Sequence, residues 1–204
     1  MSAPTLKGFI LAISAAVLWG VSGTFAQFLF QQREVNVEWL ITIRMLSTGS
    51  ILLLFGKFGQ RADIFSIWKN KKDAVQLAIF SITGMLAVQY TYFAAIKHSN
   101  AATATVIQYA GPVIIAIYLA FKYKRIPRPI EFLAIGLAVV GTFLLVTHGD
   151  IHTLSISGLA FFFGIASAFA LTIYTLQPIP LLTKYKASLV IGWGMFVGGF
   201  FFVS

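Results

Sequence analysis

Residues 89–146 read QYTYFAAIKHSNAATATVIQYAGPVIIAIYLAFKYKRIPRPIEFLAIGLAVVGTFLLV. The stretch holds the end of one apolar helix, a polar turn (Lys97, His98, Ser99, Asn100), a helix with Pro112 at its centre, a basic loop, and a further helix opened by Pro127 and Pro129. Three membrane crossings are packed into it. In the middle helix Ala101, Ala104, Thr105, Gln108, Gly111, Pro112 and Ile115 recur at three- and four-residue spacing, so one face is small and mildly polar while the other carries Ile, Val and Tyr. Small residues on one stripe let a neighbouring helix come close. Pro112 has no N–H and clashes with the preceding turn, which deprives the Gln108 carbonyl of its helical partner. In hydrocarbon that carbonyl must be met by protein or by water in a cavity. The spacing therefore predicts a kinked, cavity-lining helix; a proline kink absorbed by packing is the plain alternative.

Composition agrees with a membrane protein. Of 204 residues 58% are hydrophobic and only 10% charged, with mean hydropathy +0.87, whereas soluble domains carry about 25% charge. The net charge of +9 would gather on one exposed basic face in a nucleic-acid binder. Here the basic residues sit in short loops between apolar runs, so they set orientation across a membrane and no nucleic-acid partner is expected. The chain has no cysteine, which excludes disulfides and thiolate metal sites. The apolar run from Gly8 to Phe30 is too long for a secretion signal and is followed by more spans, so it reads as the first transmembrane helix.

At about 20 apolar residues per crossing, spans are expected at Gly8 to Phe30, Val37 to Phe55, Ala74 to Ile96, Ala101 to Phe121, Ile130 to Thr147, Ser157 to Leu176 and Ala187 to Ser204. The fold class is thus an all-α polytopic bundle of about seven transmembrane helices. Twelve of the fifteen basic residues fall on one side, against Arg33 and Lys97 on the other and Arg44 within the second span. The positive-inside rule then places the N-terminus in the cytoplasm of a multi-pass cell-membrane protein. Shifting the chain by 150 residues aligns Gly8 with Gly158, Ala16 with Ala166, Ile41 with Ile191, Met45 with Met195 and Gly49 with Gly199. The shift carries spans one and two onto six and seven, so an odd number of crossings inverts the second copy. Two units are expected: residues 1–155 as a first five-helix repeat, and 156–204 as the opening two helices of an incomplete, inverted second copy. On that expectation three helices of the pair are lacking.

The residues resemble the EamA-type transporters of the drug/metabolite transporter superfamily. The resemblance rests on Ala16 to Gly20 (AVLWG), Arg44, Tyr92 to Pro112 (YFAAIKHSNAATATVIQYAGP), Gly136 to Leu145 (GLAVVGTFLL) and the second-repeat opening Gly158 to Thr175. It implies ten helices as two inverted repeats, a central substrate cavity, and export or import of small metabolites such as amino acids. The chain departs from the pattern by stopping in the seventh helix and by carrying Lys122, Tyr123, Lys124 and Arg125 where relatives commonly have a glutamate.

Candidate substrate-cavity residues are Trp19, Arg44, Gln89, Tyr90, Gln108, Pro112 and Tyr174. Arg44 is the one strongly charged residue placed inside a span, at a cost on the order of 3 kcal/mol on insertion scales. It either binds a substrate carboxylate or gates the outer mouth; snorkelling to the interface is the plain reading. Trp19 interrupts a small-residue stripe (Ala12, Ala16, Gly20, Gly23) and either closes the cavity or packs structurally. Gln89, Tyr90, Tyr92, Gln108 and Tyr174 supply neutral hydrogen-bonding groups suited to a polar ligand in an apolar pocket, or to helix–helix hydrogen bonds.

His148, Asp150 and His152 alternate as metal ligands would, but in an outer loop without a clear fourth ligand, so no metal site is expected. There is no nucleotide motif, and all six carboxylates (Glu34, Glu38, Asp63, Asp73, Glu131, Asp150) lie in loops or at helix ends. No cofactor and no catalytic residue is expected. The partners expected are a small-molecule solute and the lipid bilayer, and the sequence sets no oligomeric state. The function expected is secondary transport of small organic metabolites by alternating access around a central cavity. The alternative is a membrane-embedded enzyme acting on lipid-linked substrates, for which only the His148/His152 cluster comes near the needed groups.

Overall fold

A computed structural model describes residues 3–124, 129–147, 150 and 157–202, and all regular structure among them is helical. Helix α1 spans Ala3–Gln32 and α2 spans Val37–Leu54, continued by a π-helical turn at Phe55–Gly59. A 3-10 turn (Ser66–Lys69) leads into α3 (Lys71–Ile79), which passes through a π-helical stretch (Phe80–Leu86) into α4 (Ala87–Lys97). Next come α5 (Ala101–Gln108), α6 (Ala110–Tyr123), α7 (Pro129–Thr147), α8 (Gly158–Leu176), the single turn α9 (Ile179–Leu182) and α10 (Ala187–Phe200).

Five of the resulting rods are long and apolar enough to cross a bilayer: Gly8–Gln32, Val37–Gly59, Lys71–Lys97, Ala101–Tyr123 and Gly158–Leu182. Shorter apolar helices at Phe132–Gly141 and Ala187–Phe200 follow the same order, so the chain is a polytopic membrane helix bundle.

Local chemistry sets where the rods begin. Asn36, Asn70, Asn100 and Ser157 each cap a helix start, their side-chain oxygens accepting from the backbone N–H groups of Trp39, of Lys72 and Asp73, of Thr103 and of Ala160. Those side chains satisfy donors that the first turn of a helix leaves free. The π stretch in the third rod coincides with Ser81 and Thr83, whose hydroxyls donate back to the Leu77 and Ile79 carbonyls at 2.8 Å each. Such back-bonding perturbs the regular ladder and bends helices. Hydropathy alone predicts a straight third span, and this widening is invisible to it.

The core lies where the third rod packs between α2 and α10 on one side and α8 on the other. Along α2 the buried residues Val37, Ile41, Met45, Gly49 and Leu53 recur every fourth position. Their stripe packs on α10, and a Cβ on Gly49 would sit 2.7 Å from the Phe196 amide nitrogen and 2.9 Å from the Gly192 carbonyl oxygen. Only a residue without a side chain permits that backbone-to-backbone approach.

Helix α1 is mostly outward-facing, with Leu11, Leu18 and Phe25 exposed as lipid-facing residues would be. It is pinned to the turn before α5 by Gln31, whose amide donates to the Ser99 carbonyl, and by Gln27, whose Oε1 accepts from the Ala101 N–H, both at 2.8 Å.

At the opposite end, the segment between α2 and α3 is tied to α9 and α10. The buried Asp73 accepts from Lys184 Nζ and from the Tyr185 hydroxyl, each at 2.8 Å. Burial, with the bond to Asp73 adding to it, pushes the Tyr185 phenol above its ordinary value, so it stays a donor. Lys186 Nζ donates to the Gln60 carbonyl at 2.7 Å, and Trp193 Nε1 donates to the Ile64 carbonyl at 2.7 Å.

Candidate functional site: a chamber at the break in the fourth rod

The fourth rod breaks at Tyr109, three residues before Pro112: α5 ends at Gln108 and α6 begins at Ala110. Proline removes its own N–H from the ladder and crowds the turn before it, so the disturbance falls N-terminal to the ring, as the sequence predicts. A cavity of about 300 Å³ opens beside the break. Thr105, Gln108, Tyr109 and Pro112 line it from this rod, Ala15, Ala16 and Trp19 from α1, and Leu171 from α8. That volume is at the lower end of what small-molecule sites use.

Its walls are apolar apart from a few groups. The decisive one is Gln108, 6% exposed, whose side-chain nitrogen is buried without a hydrogen-bond partner among the described residues. A buried amide donor left unmade costs about 1–3 kcal/mol.

A second, smaller chamber of about 30 Å³ lies across Trp19, lined also by Ser22, Arg44, Gln89, Tyr92 and Phe93. Arg44 Nη1 donates to the Ser22 hydroxyl at 2.6 Å, and the guanidinium carbon lies 5.1 Å from the centre of the Phe93 ring. Trp19 lines both chambers, and Tyr92 lines the smaller. Its ring meets Trp19 edge-on at 6.3 Å, and its hydroxyl pairs with Thr105 Oγ1 at 2.8 Å. A Cβ on Gly23 would stand 3.1 Å from that hydroxyl, so the glycine makes room for Tyr92.

Three stripes of helical spacing meet here: Trp19, Ser22 and Gly23; Gln89, Tyr92 and Phe93; Thr105, Gln108, Tyr109 and Pro112. Of the sequence-predicted residues, the structure brings Trp19, Arg44, Gln89, Gln108 and Pro112 to the two chambers. Tyr90 points elsewhere, its ring 6.1 Å from Phe163 and 5.8 Å from Phe202, and Tyr174 stacks on Phe80 at 6.0 Å. Neither touches a chamber wall.

Ser22, Tyr109 and Leu171 were not singled out by sequence. Ser22 lies one turn beyond Trp19 on the same face, and that phase is the signal that finds it. On α1, Gly20 faces open space, so the small-residue stripe is used only in part. His148 and His152 lie outside the described residues.

Residues 6–147 match the EamA-like transporter family. The chain belongs to that family. Its relatives include a Salmonella typhimurium protein described as an uncharacterized inner membrane transporter, YicL, 47% identical over 96% of this chain and 65% of its own length. A Pseudomonas aeruginosa protein described as an uncharacterized transporter, PA0485, is 25% identical over 66% of this chain and 44% of its own. The chain thus spans about two thirds of the first relative's length and under half of the second's. No solved structure matches it.

Proposed function

We propose that this EamA-like protein is a secondary transporter of small organic metabolites in the inner membrane, working by alternating access around the chamber at the α5–α6 break. The observation that carries the reading is the unpartnered Gln108 amide beside an apolar cavity of about 300 Å³. Membrane transporters place substrate sites where a broken helix exposes backbone and side-chain polar groups at the contact of two repeats. Here α1, α5 and α6 come from the first proposed repeat (residues 1–155), and Leu171 from the second (156–204).

Support for the inverted repeat comes from reciprocity. Gly49 approaches Phe196, while Gly199, its counterpart at the 150-residue shift, approaches Leu46, which is the counterpart of Phe196. A contact that maps onto itself when partners exchange is what a two-fold relation generates. The proposed topology has the N-terminus in the cytoplasm, putting Lys69, Lys71, Lys72, Lys184 and Lys186 on the inner side.

In liposomes, the full-length protein is expected to exchange labelled amino acids or organic acids, with exchange lost in Gln108→Leu. A wild-type protein that moves none of them, or a Gln108→Leu variant that moves them normally, overturns the reading.

A further inference from the structure

Resting on that transport reading, the geometry points to a narrower cargo: we propose an organic monocarboxylate with an apolar body and no ammonium group, its carboxylate held by Arg44 and its body beside Gln108.

The two chambers differ in chemistry. The larger is walled by Ala15, Ala16, Pro112 and Leu171 and suits an apolar or aromatic body. The smaller, at about 30 Å³, has the room of one water, which is also the scale of a single carboxylate. It is lined by Arg44, Ser22, Gln89 and Tyr92. Trp19 lines both chambers and meets Tyr92 edge-on, so a solute that reaches both places its apolar body and its charged head on either side of that indole.

Charge then selects. A guanidinium offers five N–H donors, and the protein contacts here are neutral: one hydroxyl at 2.6 Å and one aromatic face. The ion pairs Lys69–Asp63 and Lys184–Asp73 involve no chamber residue, and among the described residues no Asp or Glu lines either chamber. A cation inside the bilayer without an anion is costly, and an arriving carboxylate supplies the missing charge with a bidentate match. An ammonium would meet no anion and would be repelled by Arg44. A zwitterionic amino acid gains at one end and loses at the other; an amine only loses.

The test uses three solutes related by deletion: phenylalanine, phenylpropionate (which lacks the ammonium) and phenethylamine (which lacks the carboxylate). Thermal stabilisation of the purified full-length protein measures binding, and counterflow in liposomes at neutral pH measures transport. Phenylpropionate is expected to bind at least about tenfold more tightly than phenethylamine, which lacks the carboxylate that Arg44 pairs, and more tightly than phenylalanine, whose ammonium meets no anion. Arg44→Gln is expected to abolish that preference, and Arg44→Lys to keep its direction with lower affinity. Should Arg44→Gln not fold, Arg44→Lys and the wild-type order decide.

Binding of phenylpropionate with this order but no flux keeps the cargo class and overturns the transport reading. Flux or binding that favours phenylalanine or phenethylamine, or a preference unchanged in Arg44→Gln, overturns the cargo class while transport stands. No binding of any of the three overturns the proposal.

Discussion

Replacing Gln108 with leucine separates a residue kept for folding from one kept for a ligand. Gln108 is 6% exposed and its amide nitrogen has no hydrogen-bond partner among the described residues. Leucine has nearly the same volume, so the exchange leaves the packing between α5 and α8 filled. It removes a buried donor whose unmet bond costs about 1–3 kcal/mol. The empty protein is therefore expected to gain stability of about 1 kcal/mol or more, a rise in melting temperature of about 2–4 °C per kcal/mol for a chain of this size. On the proposed function, transport falls at the same time. The assay is thermal unfolding of the detergent-solubilised protein beside flux in liposomes. A variant that melts lower than wild type would refute the reasoning, since the amide would then be serving the fold.

Further outcomes follow from the same geometry. Gly49→Ala drives a Cβ to 2.7 Å from the Phe196 backbone and is expected to cost about 1–3 kcal/mol through overpacking, whereas Gly20→Ala, with nothing within 4 Å, is expected to be neutral in the same melting assay. Asp73→Asn loosens the buried contact with Lys184 and Tyr185 and is expected to lower the melting temperature, while Asp63→Asn, at the exposed pair with Lys69, leaves it unchanged. Lysine-directed labelling with a membrane-impermeant reagent is expected to reach Lys69, Lys71 and Lys72 only in inside-out vesicles; labelling in intact cells would reverse the proposed topology.

The bundle was legible because oily runs of about 20 residues have one stable arrangement in a bilayer. The polar turn at Lys97 to Asn100 was legible as well, and Asn100 caps the helix that follows it. Pro112 announced a break that the structure places at Tyr109. The π-helical stretches at Phe55–Gly59 and Phe80–Leu86 were not legible, since hydropathy averages over the extra residue per turn that distinguishes them, and the single turn α9 is too short for a hydropathy window to resolve.

For the site, residue type found the right candidates and helical phase sorts them. Gln89 shares a face with Tyr92 and Phe93, while Tyr90, one residue on, turns about 100° away toward Phe163 and Phe202. Tyr174 was offered by its hydroxyl, yet its ring is held by Phe80. Leu171 carries no chemical mark in sequence; only the packing of α8 against α5 and α6 brings it to the chamber.

The chain carries no cysteine, so single cysteines can be read without background. Placed at Thr105, Tyr109 and Leu171 in the chamber, and at Leu137 and Leu144 on the exposed face of α7, they report whether water enters the break in the fourth rod. The account predicts that a charged, water-soluble thiol reagent modifies the three chamber positions from either side of the membrane, more slowly when cargo is present, and leaves the two α7 positions unreacted. Chamber cysteines as inert as those on α7 would contradict it.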